Sequence, residues 1–301
     1  MTGGGVFGVV PNFSEGRRAD VIDAICRALE VPGARLVYRQ SDPDHNRLDT
    51  TVLGDRDAVW RSAMAGARVA VSLIDMTRHT GGHPRMGAAD VIPFLPVRDV
   101  KMDDAVELAR AFGAALATEL DLPVYLYDAA ALQPERASLA DVRRGEYEGL
   151  RADVARGERP PDFGPHALGS AGATAVGARK PLVAFNLYLD GGDEAAAKEI
   201  ARTVRTSGGG LAALRAIGFA VPERRCVTVS MNLIDVDVTG VRAAFDAVEA
   251  EASTRGMRVL DSEIVGLVPE AALADADIEH VRLTAFDPDR QFLERLIEEA
   301  A

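Results

Sequence analysis

One ordering of apolar segments occurs twice along this chain, and it constrains the fold more than any other feature. In the first half a short run at 6–11 precedes a helical period over 17–30, where Val21, Ile22, Ile25, Ala28 and Leu29 recur at helical steps. Ser14 or Glu15 stands where it can serve that helix's first turn, and Pro32-Gly33 closes it. Strands follow at 35–40 and 48–54, then a helix at 55–74 and an apolar strand at 91–97. Pro93 and Pro96 make that last strand irregular or place it at an edge. A further helix at 102–120 leads to a short strand at 124–127.

The second half repeats the order: strand 182–189, helix 193–206, a strand or short helix at 213–219, strand 227–234, helix 241–255 and strand 259–265. Two strand–helix–strand–strand–helix–strand units predict an α/β (α+β) protein of two ferredoxin-like βαββαβ subdomains in tandem, 1–179 and 180–301. Between them, 145–180 is rich in glycine, proline and charge and reads as a long ordered crossing with a strand-like end at 173–178. Small substrates favour domain interfaces, so a site between the halves is the structural expectation.

At 301 residues, 48% hydrophobic and 27% charged, the chain has a globular composition. It lacks an apolar stretch of the roughly 20 residues that span a bilayer. The start, Met1-Thr-Gly-Gly-Gly-Val-Phe-Gly8, has no basic segment or long apolar run and does not read as a secretory leader. A net charge of −12 opposes nucleic-acid binding but allows a local arginine-rich pocket for small anions. Cys26 and Cys226 lie far apart in apolar segments, which fits buried free thiols in a reducing, cytoplasmic compartment.

The segment His79-Thr-Gly-Gly-His83-Pro-Arg85 carries the strongest chemistry. Its glycines permit unusual backbone angles and Pro84 biases His83 toward an extended conformation, so the imidazole sits on a stiff turn suited to proton transfer. Spacing alone leaves an ordinary surface histidine equally open. The four-residue spacing of His79 and His83 also suits zinc on a helix, but Gly81-Gly82 and Pro84 disfavour a helix, and no metal is expected. A second polar loop, Ser41-Asp-Pro-Asp-His-Asn-Arg47, offers Asp42 and Asp44 to a nitrogen-rich ring and Arg47 to a carboxylate, unless it is a turn built for local reasons.

At these same residues the chain resembles the formiminotransferase domain of glutamate formimidoyltransferases, which is the N-terminal part of formiminotransferase-cyclodeaminases. The resemblance rests on Val10-Pro-Asn-Phe-Ser-Glu-Gly16, Asn46-Arg47 and His83-Pro-Arg-Met-Gly-Ala-Ala-Asp-Val-Ile-Pro-Phe-Leu-Pro-Val97. It continues through Arg144-Gly-Glu-Tyr-Glu-Gly149, Pro161-Asp-Phe-Gly-Pro165, Gly177-Ala-Arg-Lys180, Ala184-Phe-Asn186 and Ile264-Val-Gly-Leu-Val-Pro269.

That resemblance implies transfer of a formimino group between N-formimino-L-glutamate and N5 of tetrahydrofolate, a ligand tunnel between the subdomains, and a homodimer. It makes His83 the catalytic acid–base group. It makes Gly164, Pro165, His166, Ala167, Leu168, Gly169, Ser170, Ala171 and Gly172 the folate-lining stretch. Asp42, Arg47, Arg85 and Asn186 fall in or beside matching motifs and are expected to contact substrate.

Tyr188 departs from the small polar residue usual in that family, the loop before Asn46 differs from the animal enzymes, and the chain stops where a cyclodeaminase domain would begin. The rival readings are a formyl transferase acting on 5-formyltetrahydrofolate, a folate-binding module without turnover, and a metal hydrolase using His79 and His83.

Overall fold

The computed structural model describes residues 5–274 and 276–300, so the first four residues of the N-terminal stretch discussed above lie outside the described residues. The chain divides into two compact units, Met1–Arg179 and Lys180–Glu299.

The first unit runs β1 (Val6–Val9), β2 (Asn12–Phe13), α1 (Ala19–Leu29), β3 (Ala34–Asp42), β4 (Arg47–Gly54), α2 (Arg56–Leu73) and β5 (Ala89–Arg98). It continues with α3 (Met102–Leu120), β6 (Val124–Asp128), α4 (Leu139–Val142), α5 (Glu146–Ala155) and β7 (Thr174–Ala178). β1 and β2 form one interrupted strand between β4 and β5, antiparallel to both, and β3 pairs antiparallel outside β4. This is the antiparallel ferredoxin-like order. β7 and then β6 extend it beyond β5 in parallel.

Local chemistry accounts for the helices that carry this sheet. The buried Glu15 carboxylate accepts the backbone N–H groups of Arg17 and Arg18, both at 2.9 Å, at the start of α1. An anion there satisfies orphan donors and complements the helix dipole. Asp55 caps α2 by accepting from Ala58 N at 2.8 Å. α1 buries Val21, Ile25, Cys26 and Leu29, and the core closes over Phe13, Leu48, Phe94 and Phe112. Trp60 and Phe94 meet Phe112 edge-on, at 5.2 and 5.1 Å between ring centroids.

The second unit runs β8 (Val183–Asp190), α6 (Glu194–Val204), β9 (Leu214–Val221), β10 (Cys226–Leu233), α7 (Val241–Ser253) and β11 (Arg258–Val265). Its sheet has the order β11-β8-β10-β9 and is antiparallel throughout. The last helices, α8 (Pro288–Gln291) and α9 (Leu293–Ala300), follow. Two tandem α/β units of one topology are therefore present.

Two details differ from the sequence-based expectation, and a third resolves an alternative. β5 is not an edge strand: it is flanked by β1 and β2 on one side and β7 on the other. Pro93 fits there because the neighbouring strand is itself interrupted at 10–11, where Pro93 O accepts Val10 N at 3.0 Å. Within 145–180 the chain forms α5, whose apolar stripe is only Tyr147, Leu150 and Val154 and whose flanking Gly145 and internal Gly149 hide the period. Residues 214–221 form a strand, one of the two readings open there, because Leu214, Ala216 and Gly218 are buried in alternation with exposed neighbours.

Candidate active site

Asn46 ties together the segments that present His83. It adopts a left-handed backbone (φ 49°), which asparagine tolerates better than most residues. Its side-chain oxygen accepts Gly16 N at 2.8 Å and its nitrogen donates to Thr80 O at 2.9 Å. Gly82 N donates to Asp44 O at 3.0 Å, so 79–83 lies directly on the 44–46 turn. A Cβ on Gly81 would come within 2.3 Å of His45 O. The glycine is required here for close approach; neither Gly81 nor Gly82 has a positive φ, contrary to the expected use of their conformational freedom.

His83 is half-buried on this non-helical turn. Its Nδ1 lies 2.7 Å from Pro84 O. A carbonyl only accepts, so Nδ1 carries the proton and Nε2 keeps its lone pair in the neutral ring. The His45 ring stands edge-on to it, with centroids 6.1 Å apart. Burial first, then the guanidinium groups of Arg47 and Arg143, push the His83 pKa down to about 3, against weaker opposition from Pro84 O and Asp90. The imidazole is therefore neutral at neutral pH, with the Nε2 lone pair available to a proton.

Behind His83 lies a buried ion cluster. Asp90, in β5, is fully buried. Its Oδ2 accepts Arg47 Nη1 at 2.8 Å and also Arg143 Nη2, while its Oδ1 accepts Met86 N at 2.8 Å. Burial alone would raise the Asp90 pKa, but Arg143 and Arg47 outweigh it and hold the carboxyl below its ordinary range. Arg47 also donates through Nε to Asp49 at 3.0 Å, and Asn12 Nδ2 holds the same Asp49 oxygen at 2.6 Å.

Other sequence-predicted residues take different places. Arg85 is filled by the fold: it donates to Glu146, twice to Glu148, and to both the ring and the carbonyl of His79. All five of its N–H donors are used within the protein, so in this structure it braces the His79–Met86 segment. Both ring nitrogens of His79 are engaged, one by Arg85 and one by Asn46 O at 3.2 Å. Asp42 builds its own loop, accepting Asp44 N, His45 N and His45 Nδ1 at 2.7–2.9 Å. Among the described residues no group of three or more His, Cys, Asp or Glu is placed to hold a metal.

The stretch 164–172 runs beside the strand that follows His83. Ala88 N donates to Ala171 O at 2.8 Å and Ala173 N to Met86 O at 2.9 Å. Gly172 has φ +75°, and a Cβ there would lie 2.3 Å from Met86 O, so no other residue fits without moving the strand. Leu168 anchors the stretch in the core, while His166, Ala167, Gly169 and Ser170 are exposed along it. Asn186 belongs to the second unit, half-buried on β8, on the face opposite Phe185 and Leu187. On that same face Tyr188 OH donates to Glu263 at 2.8 Å, and the Arg224 guanidinium lies 3.8 Å above the tyrosine ring.

Asp90 and Arg143 were not singled out from the sequence. The signal for Asp90 is a lone acid inside the apolar run Met86–Val97, a position where an unpaired charge is prohibitive. Nothing in the sequence marks Arg143 above its neighbour Arg144.

The first unit sets His83 on a stiff turn beside the buried Asp90–Arg47–Arg143 cluster, and both units have the ferredoxin-like strand order of a two-subdomain α/β protein. More particularly, the chain belongs to the formiminotransferase family: residues 6–179 match the formiminotransferase domain, N-terminal subdomain, and residues 184–289 match the formiminotransferase domain. It is 39% identical over 287 residues to the glutamate formimidoyltransferase of Streptococcus pyogenes serotype M1, covering 95% of this chain and 96% of that protein. It is 41% identical over 295 residues to the glutamate formimidoyltransferase of Thermoplasma acidophilum, covering 97% of each. The formimidoyltransferase-cyclodeaminase of Sus scrofa is 47% identical over 275 residues, which cover 89% of this chain but only 51% of that longer protein.

Proposed function

We infer that this chain is a glutamate formimidoyltransferase, moving the formimino group of N-formimino-L-glutamate to N5 of tetrahydrofolate and releasing glutamate. Full-length similarity to the two microbial glutamate formimidoyltransferases supports the activity. The single observation that carries the mechanism is the His83 tautomer, with Nδ1 anchored on Pro84 O and Nε2 left as a base.

Three events describe the reaction. N5 bonds to the formimino carbon, and His83 Nε2 takes the proton that N5 sheds. The resulting imidazolium returns that proton to the glutamate nitrogen of the tetrahedral adduct. The C–N bond to glutamate then breaks, with the bonding pair leaving on the now neutral amine. A positioned acid–base group of this kind contributes about 10²–10⁴-fold.

Tetrahydrofolate is a co-substrate in this reading, assigned to 164–172, where the exposed Gly169 and Ser170 precede Ala171, whose carbonyl accepts Ala88 N. Arg47, Asp42 and Asn186 are assigned to the ligands by family resemblance. A ligand tunnel and a cytoplasmic homodimer are carried over to this chain, with its subdomains 1–179 and 180–301, by family resemblance alone. Both cysteines being reduced and buried fits that compartment.

The rival formyl reading is tested by offering formimino-glutamate and formyl-glutamate separately with tetrahydrofolate. A higher kcat/KM for the formimino donor is expected; preferential formyl transfer would replace this assignment while leaving His83 in its role.

A further inference from the structure

We propose that Arg143, clamped by Asp90, binds the α-carboxylate of the formimino donor, and that Asp90 is its positioning residue. The proposal rests on the formimino-transfer reading and adds to it the group that recognises the donor at the bond being broken.

The geometry distinguishes the two arginines of the cluster. Arg47 is partnered at two of its nitrogens, with Asp49 on Nε and Asp90 on Nη1. Arg143 follows α4 and donates to Asp90 through Nη2; its Nε is buried and has no hydrogen-bond partner among the described residues. The side chain of Arg143 is 12% exposed and that of Arg47 7%, so neither is a surface group screened by water. Asp49, the other acid of the cluster, is half-exposed and also engaged by Asn12. The one fully buried carboxylate thus serves two buried guanidinium groups, and Arg143, engaged at one nitrogen against two for Arg47, keeps the larger share of its donors unfilled. A buried cation with unfilled donors is costly unless a ligand anion completes it.

The chemistry says which anion that is. The leaving nitrogen of the donor is bonded to the glutamate Cα, which also carries the α-carboxylate. When His83 protonates that nitrogen, the α-carboxylate is held close to the imidazole. The γ-carboxylate lies two methylenes further away. The guanidinium groups of Arg47 and Arg143 reach His83 with their fields, Asp90 is the opposing anion, and the His45 ring, paired with Asp42, stands beside it. An α-carboxylate arriving on Arg143 offsets the field that keeps His83 unprotonated, so donor binding itself makes the imidazolium easier to form. A guanidinium fork suits a carboxylate bidentately, whereas a lysine in its place would present only a point charge.

The test compares N-formimino-L-glutamate with its α-carboxamide and γ-carboxamide analogues in the wild-type protein and in Arg143→Met, with the KM for tetrahydrofolate as the control for folding. Wild-type protein is expected to prefer the acid over the α-amide by about 100-fold in kcat/KM, the scale on which truncating one partner of a buried charge pair is felt. Arg143→Met should lose that preference while keeping the wild-type discrimination against the γ-amide.

A merely structural arginine would lower all three donors by one common factor, and that result overturns the proposal. So does an α-acid preference that survives the substitution. Should Arg143→Met fail to fold, Arg143→Lys is read instead: a reduced α-acid preference supports the proposal and an unchanged one overturns it. Wild-type protein that turns over none of the donors would overturn the transferase reading and this proposal with it, a result distinct from turnover without α-carboxylate selectivity.

Discussion

His83→Ala is expected to fold and bind tetrahydrofolate as the wild type does, while kcat/KM for formimino-glutamate falls by about 10²–10⁴-fold. The side chain touches its surroundings through one hydrogen bond to Pro84 O and an edge contact with His45, so removing it leaves the 44–46 and 79–83 scaffold in place. That scaffold is held by Asn46, Gly81 and Arg85 instead. The substitution also carries a pH signature. Between the ordinary histidine pKa of about 6.5 and the folded value of about 3, the unfolded chain binds a proton that folded His83 does not. Acidification through that window therefore lowers wild-type stability, and His83→Ala removes that contribution, although the half-exposed ring keeps it small. Steady-state rates and urea melts at pH 7 and pH 5 measure both effects; normal turnover in the variant would refute the acid–base role.

Asp90→Asn should be the most destabilising single-atom change in the first unit, by about 3–5 kcal/mol, the usual cost of removing one partner from a buried ion pair. The neutral amide leaves Arg47 and Arg143 facing each other in the interior without a counter-charge, and it presents one acceptor oxygen where the carboxylate serves three donors. Asp49→Asn provides the contrast. It also pairs with Arg47, but its side chain is 46% exposed, so solvent replaces it at about 1 kcal/mol or less. Urea denaturation of the two variants side by side checks the ranking. Equal, small losses would mean that the Asp90 cluster does not hold the site together. As for acid, the depressed Asp90 pKa adds stability that is present above the ordinary carboxylate range and is lost as pH falls through the folded value.

Element type was legible where a single period ran unbroken. β8 alternates buried Val183, Phe185, Leu187 and Leu189 with half-buried neighbours, and α1 repeats Val21, Ile25 and Leu29 on one face. Both patterns are short-range and survive in a bare sequence. The misreadings have equally local causes. β5 looked like an edge because proline lacks a donor, and only the interruption of its partner strand at 10–11, a tertiary fact, lets Pro93 sit inside the sheet.

At the site, His83 could be singled out because its turn is written in adjacent glycines and a proline. The cluster behind it could not be read in that way. Arg47, Asp90 and Arg143 come from a strand start, a mid-sheet strand and a helix end, and no local pattern announces that one carboxylate oxygen accepts from both arginines. Arg85 shows the converse. Its motif suggested a ligand role, yet Glu146 and Glu148, some sixty residues later in the chain, occupy its fork.

The central claim is that one carbon moves from glutamate nitrogen to folate nitrogen with a single proton passed through His83. It is tested most directly by mixing the protein with tetrahydrofolate and N-formimino-L-glutamate labelled with ¹³C at the formimino carbon, then following the label by NMR. The account predicts that the labelled carbon appears on N5 of the folate in step with the release of one unlabelled glutamate per transfer, with no metal added. Label released as formamide or formate while the folate stays unmodified would show hydrolysis instead of transfer and would contradict the account.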